Sequence, residues 1–143
     1  MTAPDHITLT GFSGTGKSTV ARLVAALLSW EAIDADELIE QRTGRAVPDI
    51  IAEDGEAAFR AVEAQTFADL KGRERVVIAS GGGVLVNEAT RRHIVEAGLV
   101  VWLQASPETT SARVADDDKE RDRPLRGSIA RTRRVMDQRA ALY

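Results

Sequence analysis

The chain has 143 residues, 43% of them hydrophobic, and a formal net charge of −3, which favours one acidic domain with a core large enough to fold without disulfides. It has no cysteine and only two histidines, which excludes a disulfide scaffold, a cysteine-ligated zinc site and thiol catalysis. Because the chain is acidic, lacks a signal-peptide pattern and has no apolar run approaching ~20 residues, we expect a cytoplasmic protein with no nucleic-acid or membrane partner. A monomer is a separate expectation, which these features do not establish.

Short apolar runs alternate with helical patterns along the chain. The runs predict strands at residues 6–10, 32–34, 75–80 and 99–104. Apolar periodicity and cap residues predict helices at 18–29, 36–43, 48–54, 56–70, 87–97 and 129–142, and another that begins at Ser106. Strands that alternate with helices form a parallel sheet covered by helices on both faces. The predicted fold class is therefore α/β, with a single domain.

The first predicted helix has a regular apolar pattern. The apolar positions of the helix form the stripe of an amphipathic helix: Val20, Leu23, Val24, Leu27 and Leu28.

Charge is distributed unevenly along the chain. Residues 31–69 hold eleven Asp and Glu against three Arg, whereas residues 123–139 hold six Arg and one Asp. A late Arg-rich segment in an acidic chain fits a small anionic ligand. A solvated basic helix face is the alternative, and composition alone favours it.

Residues 11–18 carry the clearest chemical motif. Their sequence, GFSGTGKS, matches G-x-x-x-x-G-K-[ST] between a predicted strand and a predicted helix. Glycines in such a loop let backbone N–H groups turn towards phosphate oxygens, and the helix N-terminus adds the positive end of its dipole. We expect Lys17 to reach the β- and γ-phosphates and Ser18 to ligate Mg²⁺. The alternative, a chance match in a glycine-rich turn, is weak in this context.

The acidic partner of this loop is less obvious. An Asp usually ends a second apolar strand, but the run RVVIAS ends in Ser80 followed by three glycines. The nearest candidates are Asp34 and Asp36, and residues i and i+2 of a strand point to the same side. One carboxylate could then hold metal-bound water while the other takes a substrate hydroxyl. Alternatively, Asp36 caps the following helix, and the local pattern does not decide between the two.

Two further features suggest a ligand site. Gly81, Gly82 and Gly83 follow a buried strand directly, and glycines are expected where backbone approaches a ligand closely. An ordinary loose turn is the alternative. Arg60 and Glu63 lie three residues apart on a predicted helix, so their side chains can pair. The plainer interpretation is an exposed ion pair.

Taken together, these motifs resemble shikimate kinase. The chain contains, in order, GFSGTGKST, DADELIEQRTG, DGEAAFRAVE, SGGGV, RPL and DQRAALY, and the resemblance runs from about residue 6 to residue 143. It implies transfer of a phosphoryl group from ATP, with Mg²⁺, to the 3-hydroxyl of shikimate, in aromatic amino-acid biosynthesis. It also implies one P-loop kinase domain over residues 1–143, with a substrate-binding region at 31–70 and a lid at 116–126.

The resemblance implies a role for each matching residue. Asp36 would bind shikimate hydroxyls and accept the proton, Asp34 would orient magnesium through water, and Glu63 would position Arg60. Arg60 and Arg139 would clamp the shikimate carboxylate, and the backbone of Gly81, Gly82 and Gly83 would donate to shikimate. Lys17, Asp36 and Arg123 would be catalytic, with Arg123 in the lid reaching the phosphates. Nucleotide binding would involve Gly14, Thr15, Gly16, Lys17, Ser18, Thr19, Arg113 and Arg123.

The resemblance also sets expectations for the sheet. The family order is 2-3-1-4-5, and we expect order 2-3-1-4 here, with the fifth strand and final helix absent from the given sequence. The strand at 99–104 would then form an edge, and the adenine site would lack one wall. Arg126 stands where the family pattern has Leu, and the spacing from Arg123 to Arg139 is a few residues short. Two alternatives stay open: another small-molecule kinase, such as a gluconate kinase, and a module that binds ATP without turnover.

Overall fold

The computed structural model describes residues 3–12, 14–106, 108, 109, 134 and 137. The strands are β1 His6–Thr10, β2 Glu31–Asp34, β3 Val76–Ala79 and β4 Leu99–Trp102. The helices are α1 Lys17–Leu28, α2 Ala35–Thr43, α3 Val47–Asp54, α4 Glu56–Leu70 and α5 Glu88–Ala97, with a 3-10 turn at Val84–Val86. Each of these strands and helices lies within two residues of its predicted bounds. The predicted lid, most of the predicted last helix, and the residues Ser13, Pro107, Arg113, Arg123 and Arg139 lie outside the described residues.

The four strands form one parallel sheet in the order β2-β3-β1-β4. The register pairs Leu9 of β1 with Ala79 of β3, and Ala79 with Asp34 of β2. The carboxyl ends of these three strands therefore lie level at one edge of the sheet. The predicted α/β fold class and the strand order 2-3-1-4 are both confirmed.

Strand β3 separates two apolar layers because its side chains alternate between the two faces of the sheet. Val76 and Ile78 belong to a core on one face with residues of α2, α4 and α5. Val77 and Ala79 belong to a second core with Leu9 of β1 and with Ala21 and Ala25 of α1. All four residues of β3 are buried, as expected for an inner strand of a parallel sheet covered on both faces.

Helix α1 packs on the sheet through small side chains. Ala21 and Ala25 are buried against β1 and β3, with Val20 and Val24 partly buried beside them. Leu23, Leu27 and Leu28 are exposed, so the predicted apolar stripe was wrong for the three leucines. Alanine at the contact lets the helix backbone lie close to the sheet, and this turns the leucines outward. None of the described helices has both the length and the apolar character needed to cross a membrane.

Helices α2, α3 and α4 share a third apolar cluster of Ile39, Val47, Ile50 and Phe59. Arg45, between α2 and α3, connects this loop to the end of α3. It donates to Asp54 Oδ2 and to Glu53 Oε2, each at 2.7 Å. Its hydrogen bond lowers the pKa of the Asp54 carboxyl below the ordinary value. Asp36 of α2 and Arg60 of α4 belong to this layer of helices and lie near the edge where β1, β2 and β3 end.

Three predicted helix boundaries are confirmed by cap geometry. Asn87 accepts a hydrogen bond from the Thr90 N–H at 3.1 Å at the start of α5. Ser106 Oγ accepts one from the Thr109 N–H at 3.1 Å, as predicted for the helix that begins there. Gly44 ends α2 in the left-handed conformation, with φ of 68°, which glycine adopts without strain.

We predict that Leu9→Ala lowers the free energy of unfolding by about 2 to 5 kcal/mol, because it leaves a cavity beside the central strand. Leu27→Ala is the matched control: Leu9 is 2% exposed and Leu27 is 86% exposed, so the same deletion at residue 27 costs less than about 0.5 kcal/mol. Urea unfolding of both variants measures the difference. Equal losses would contradict the packing of α1 and β1 described above.

Candidate active site

The loop at residues 11–16 connects β1 to α1 and is shaped by its glycines. Gly14 and Gly16 have φ of 84° and 94°, and Gly16 is the N-cap residue of α1. Such positive φ values are strained for other residues. The Thr15 hydroxyl donates to the Phe12 carbonyl at 2.8 Å, and the Thr15 N–H donates to the same oxygen at 3.3 Å. The loop is therefore closed on itself at the positive end of a helix dipole, which is the geometry that binds phosphate.

Lys17 and Ser18 begin α1 and point to different partners. The Lys17 ammonium is buried and donates to the Gly11 and Phe12 carbonyls at 2.8 and 3.0 Å. The Ser18 hydroxyl donates to Asp34 Oδ2 at 2.7 Å. Thr19 is exposed in the first turn of α1. The structure thus brings Ser18 and Asp34 together, whereas Lys17 is held by the backbone of its own loop.

Asp34 and Asp36 are not two positions of one strand, so that interpretation was wrong. The chain turns into α2 at Ala35, and Asp36 is buried in the first turn of this helix. The capping alternative was also wrong for Asp36, because Asp34 caps the helix by accepting from the Glu37 N–H at 3.1 Å. A carboxylate directly before a helix finds unpaired N–H groups, which is why Asp34 takes this role.

Ser18 and Asp34 can contribute to a magnesium site. Their side chains offer a hydroxyl and a carboxylate oxygen 2.7 Å apart. Among the described residues, no three His, Asp or Glu side chains converge as a metal-binding cage. Mg²⁺ commonly uses one or two protein oxygens and takes its other ligands from phosphate and water. The residues present therefore fit a magnesium ion held together with a nucleotide.

Arg60 and Glu63 form a buried ion pair on α4. Arg60 Nη1 donates to Glu63 Oε1 at 2.9 Å, and the two side chains are 13% and 1% exposed. Arg60 also contacts the exposed Glu56 at 3.3 Å, and its guanidinium lies over the Phe59 ring, 5.1 Å from the ring centre. The pairing of Arg60 with Glu63 is confirmed, and its burial rules out the plainer interpretation as an exposed ion pair.

The glycine segment after β3 lies beside both buried acids. A Cβ atom on Gly81 would lie 3.0 Å from Asp36 Oδ1 and 3.4 Å from Glu63 Oε2. Ser80 fixes the start of the segment, because its N–H and its hydroxyl donate to the Leu9 carbonyl at 3.1 and 2.8 Å. The backbone at Gly81 therefore lies close to two carboxylates of the protein, and the expected approach of this segment to a ligand stays a prediction.

Two residues that hold the glycine segment were missed by the sequence analysis. Ser80 fixes its start, and Arg91 of α5 donates to the Leu85 carbonyl at 2.8 Å, in the 3-10 turn that follows the glycines. Ser80 could have been suspected from its position at the end of the strand. No sequence signal marks Arg91, because its partner is a backbone carbonyl in another element.

Three features together define a P-loop kinase. They are the parallel sheet, the phosphate-binding geometry after β1, and the buried charged residues Asp36, Arg60 and Glu63 near the end of β3. A family model of shikimate kinase matches residues 13–143. A shikimate kinase of Chlorobium luteolum is 39% identical over 148 residues, covering 96% of this chain and 72% of that enzyme. A shikimate kinase of Chlorobaculum tepidum is 44% identical over 138 residues, covering 94% and 71%.

A solved structure gives the same result. A shikimate kinase from Acinetobacter baumannii, in complex with shikimate, matches with a TM-score of 0.91 and 34% identity, covering 99% of this chain and 79% of that one. The chain belongs to the shikimate kinase family. Its activity is that of the family, the phosphorylation of shikimate with ATP.

We predict that Glu63→Gln lowers the free energy of unfolding by about 1.5 to 3 kcal/mol, because it weakens a buried hydrogen bond between charged groups. Glu56→Gln is the control, since Glu56 contacts the same arginine but is 61% exposed; it should cost less than about 1 kcal/mol. Chemical denaturation of the two variants compares them. A Glu63→Gln protein as stable as the Glu56→Gln protein would show that the burial of the pair does not matter.

Proposed function

We propose that the chain transfers the γ-phosphoryl group of ATP to the 3-hydroxyl of shikimate at the edge where β1, β2 and β3 end. The observation that carries the proposal is the meeting of three groups there. The phosphate loop follows β1, Asp36 follows β2, and Gly81 follows β3 beside both Asp36 and Glu63. Nucleotide and acceptor can therefore be held side by side, and such positioning supplies most of the catalysis in phosphoryl transfer.

The nucleotide would bind through the loop and the start of α1. The backbone N–H groups of Gly14, Thr15 and Gly16 would donate to the phosphates, and the Thr15 N–H would give up the Phe12 carbonyl for this. Lys17 would exchange the Gly11 and Phe12 carbonyls that it now contacts for phosphate oxygens. Ser18 and Asp34 would hold Mg²⁺, which neutralises phosphate charge when bound. Thr19, exposed in the next position, lies close enough in sequence to contribute to the same phosphates.

Asp36 would act on the acceptor hydroxyl. Its carboxylate is buried in the first turn of α2, so it can receive a hydrogen bond in a place with little competing water. As Asp36 accepts the proton, the hydroxyl oxygen bonds to the γ-phosphorus, the bond from that phosphorus to the bridging oxygen breaks, and ADP leaves. The role needs a charged acceptor in a fixed place, which fits a general base.

Arg60 would bind the carboxylate of shikimate. Glu63 holds the guanidinium from one side at 2.9 Å, and the Arg60 Nε is buried with no hydrogen-bond partner among the described residues. A carboxylate accepts two parallel hydrogen bonds from a guanidinium, which suits this planar group. Gly81, Gly82 and Gly83 are proposed as backbone donors to shikimate. Arg113, Arg123 and Arg139, and the lid at 116–126, lie outside the described residues and stay predictions, as do the single domain, the monomer and the cytoplasmic location.

A coupled assay of ADP release tests the function directly. Purified protein with ATP and Mg²⁺ should release ADP when shikimate is present and should release little with gluconate or with no acceptor. Release that depends on gluconate would favour the other small-molecule kinase, since that substrate also carries a carboxylate and hydroxyls. ATP binding without release for any acceptor would favour the module that binds without turnover.

We predict that Asp36→Asn lowers kcat by at least about 100-fold, a typical contribution of general base catalysis, while KM for shikimate changes much less. Asn keeps the size of the side chain and one acceptor oxygen but cannot take the proton. Steady-state kinetics with shikimate varied at saturating ATP measures both constants. An unchanged kcat would remove Asp36 from the chemical step.

We predict that Arg60→Ala raises KM for shikimate by about 10- to 100-fold, because it removes charge-assisted hydrogen bonds, and leaves KM for ATP within about twofold. Arg42→Ala is the control: Arg42 also pairs with an acid, Asp69, but both side chains are half exposed. It should leave both KM values unchanged. Equal weakening of ATP and shikimate by Arg60→Ala would contradict a carboxylate-binding role.

A further inference from the structure

We infer that Gly81 is a positioning residue for Asp36: the lack of a side chain at residue 81 determines where the Asp36 carboxylate lies. The inference rests on the proposed function, in which Asp36 accepts the proton of the acceptor hydroxyl. It differs from the backbone role proposed for the glycine segment, because it concerns the space beside Gly81 rather than its N–H group.

A Cβ atom at residue 81 would fit only if a neighbouring group gave way slightly. An ideal Cβ there would lie 3.0 Å from Asp36 Oδ1, 3.4 Å from Asp36 Oδ2 and 3.4 Å from Glu63 Oε2. The contact of 3.0 Å is tighter than an ordinary van der Waals contact, whereas the two contacts of 3.4 Å are at the edge of the ordinary range. A methyl group would therefore press first on the carboxylate of Asp36 and, on its other side, touch Glu63.

The groups around the methyl cannot easily retreat. Asp36 is 6% exposed and Glu63 is fully buried, and Glu63 is also bound to Arg60 at 2.9 Å. The backbone before Gly81 is fixed to β1 by the two hydrogen bonds of Ser80. The Gly81 carbonyl accepts from the Val84 N–H at 3.3 Å. A side chain at residue 81 would therefore displace the Asp36 carboxylate by a few tenths of an ångström.

Alanine tests this steric effect alone. Gly81 is not among the glycines with positive φ, which include Gly14, Gly16 and Gly44. Alanine can therefore adopt the same backbone conformation and keep the same N–H group. Gly72 is a matched control because it also has no positive φ, and a Cβ there would meet nothing within 4 Å.

The experiment compares Gly81→Ala with Gly72→Ala, each in the wild-type protein and in the Asp36→Ala protein. We expect Gly81→Ala to lower kcat with shikimate by about tenfold or more, as small misplacements of catalytic groups do. KM for ATP should stay within about twofold, and Gly72→Ala should match the wild type. In the Asp36→Ala protein, where only the ordinary contact with Glu63 Oε2 at 3.4 Å remains, Gly81→Ala should change the remaining kcat by less than about twofold.

The same four variants and their two parent proteins are also compared by urea unfolding, which gives a readout that is independent of activity. Gly81→Ala should lower the midpoint in the wild-type protein, and much less in the Asp36→Ala protein. This second readout also covers the case in which Gly81→Ala folds poorly. A full loss in both backgrounds, or a Gly81→Ala protein with wild-type kcat and midpoint, would overturn the inference.

Failure of the proposed function has a different result. If the wild-type protein does not phosphorylate shikimate, or if Asp36→Ala keeps the wild-type kcat, the assigned role of Asp36 is wrong. The unfolding measurements would still show whether Gly81 and Asp36 interact. If instead Asp36→Ala loses activity and Gly81→Ala loses equally in both backgrounds, only the inference about Gly81 is wrong.

Discussion

The parallel register of β2, β3 and β1 is the constraint on which the site depends. Leu9, Ala79 and Asp34 lie side by side, so the segments that follow them leave the sheet at the same level. One segment becomes the phosphate loop, one becomes the first turn of α2, and one is the glycine segment. Because side chains alternate along a strand, a shift of one residue in β3 would exchange its two buried faces. The apolar cores on both faces therefore fix the register of β3. The register in turn fixes the relative positions of the three segments that form the site.

The part of the site proposed to bind shikimate contains buried charged side chains. Glu63 is buried on α4 and pairs with Arg60, while Asp36 is buried on α2; both acids lie beside Gly81. Buried charges are expensive unless they are paired and hydrogen-bonded. Such an arrangement contributes little to stability in comparison with an apolar core. It does fix the direction of the Arg60 guanidinium, which is what the proposed carboxylate-binding role of Arg60 requires.

Much of the fold could be predicted from the sequence because its signals are local. The strand, glycine loop and helix around Lys17, the caps at Asn87 and Ser106, and the strand order all follow from short patterns or from the family resemblance. The exposure of Leu23 and Leu27 could not be predicted, because it depends on how closely α1 approaches the sheet. The pattern placed Asp36 on the same strand-like segment as Asp34, but α2 begins at Ala35, so Asp36 lies in a helix. The burial of Glu63 and the position of Gly81 beside two acids require three separate elements to meet, which no local pattern encodes.

A crystal structure with shikimate and a non-hydrolysable ATP analogue tests the central claim most directly, because it locates both substrates at once. The account predicts that the phosphates of the analogue lie against the loop at residues 11–16. It predicts the shikimate carboxylate on Arg60, and its 3-hydroxyl between Asp36 and the γ-phosphate. Shikimate bound with its carboxylate away from Arg60, or with its 3-hydroxyl out of reach of Asp36, would contradict the account.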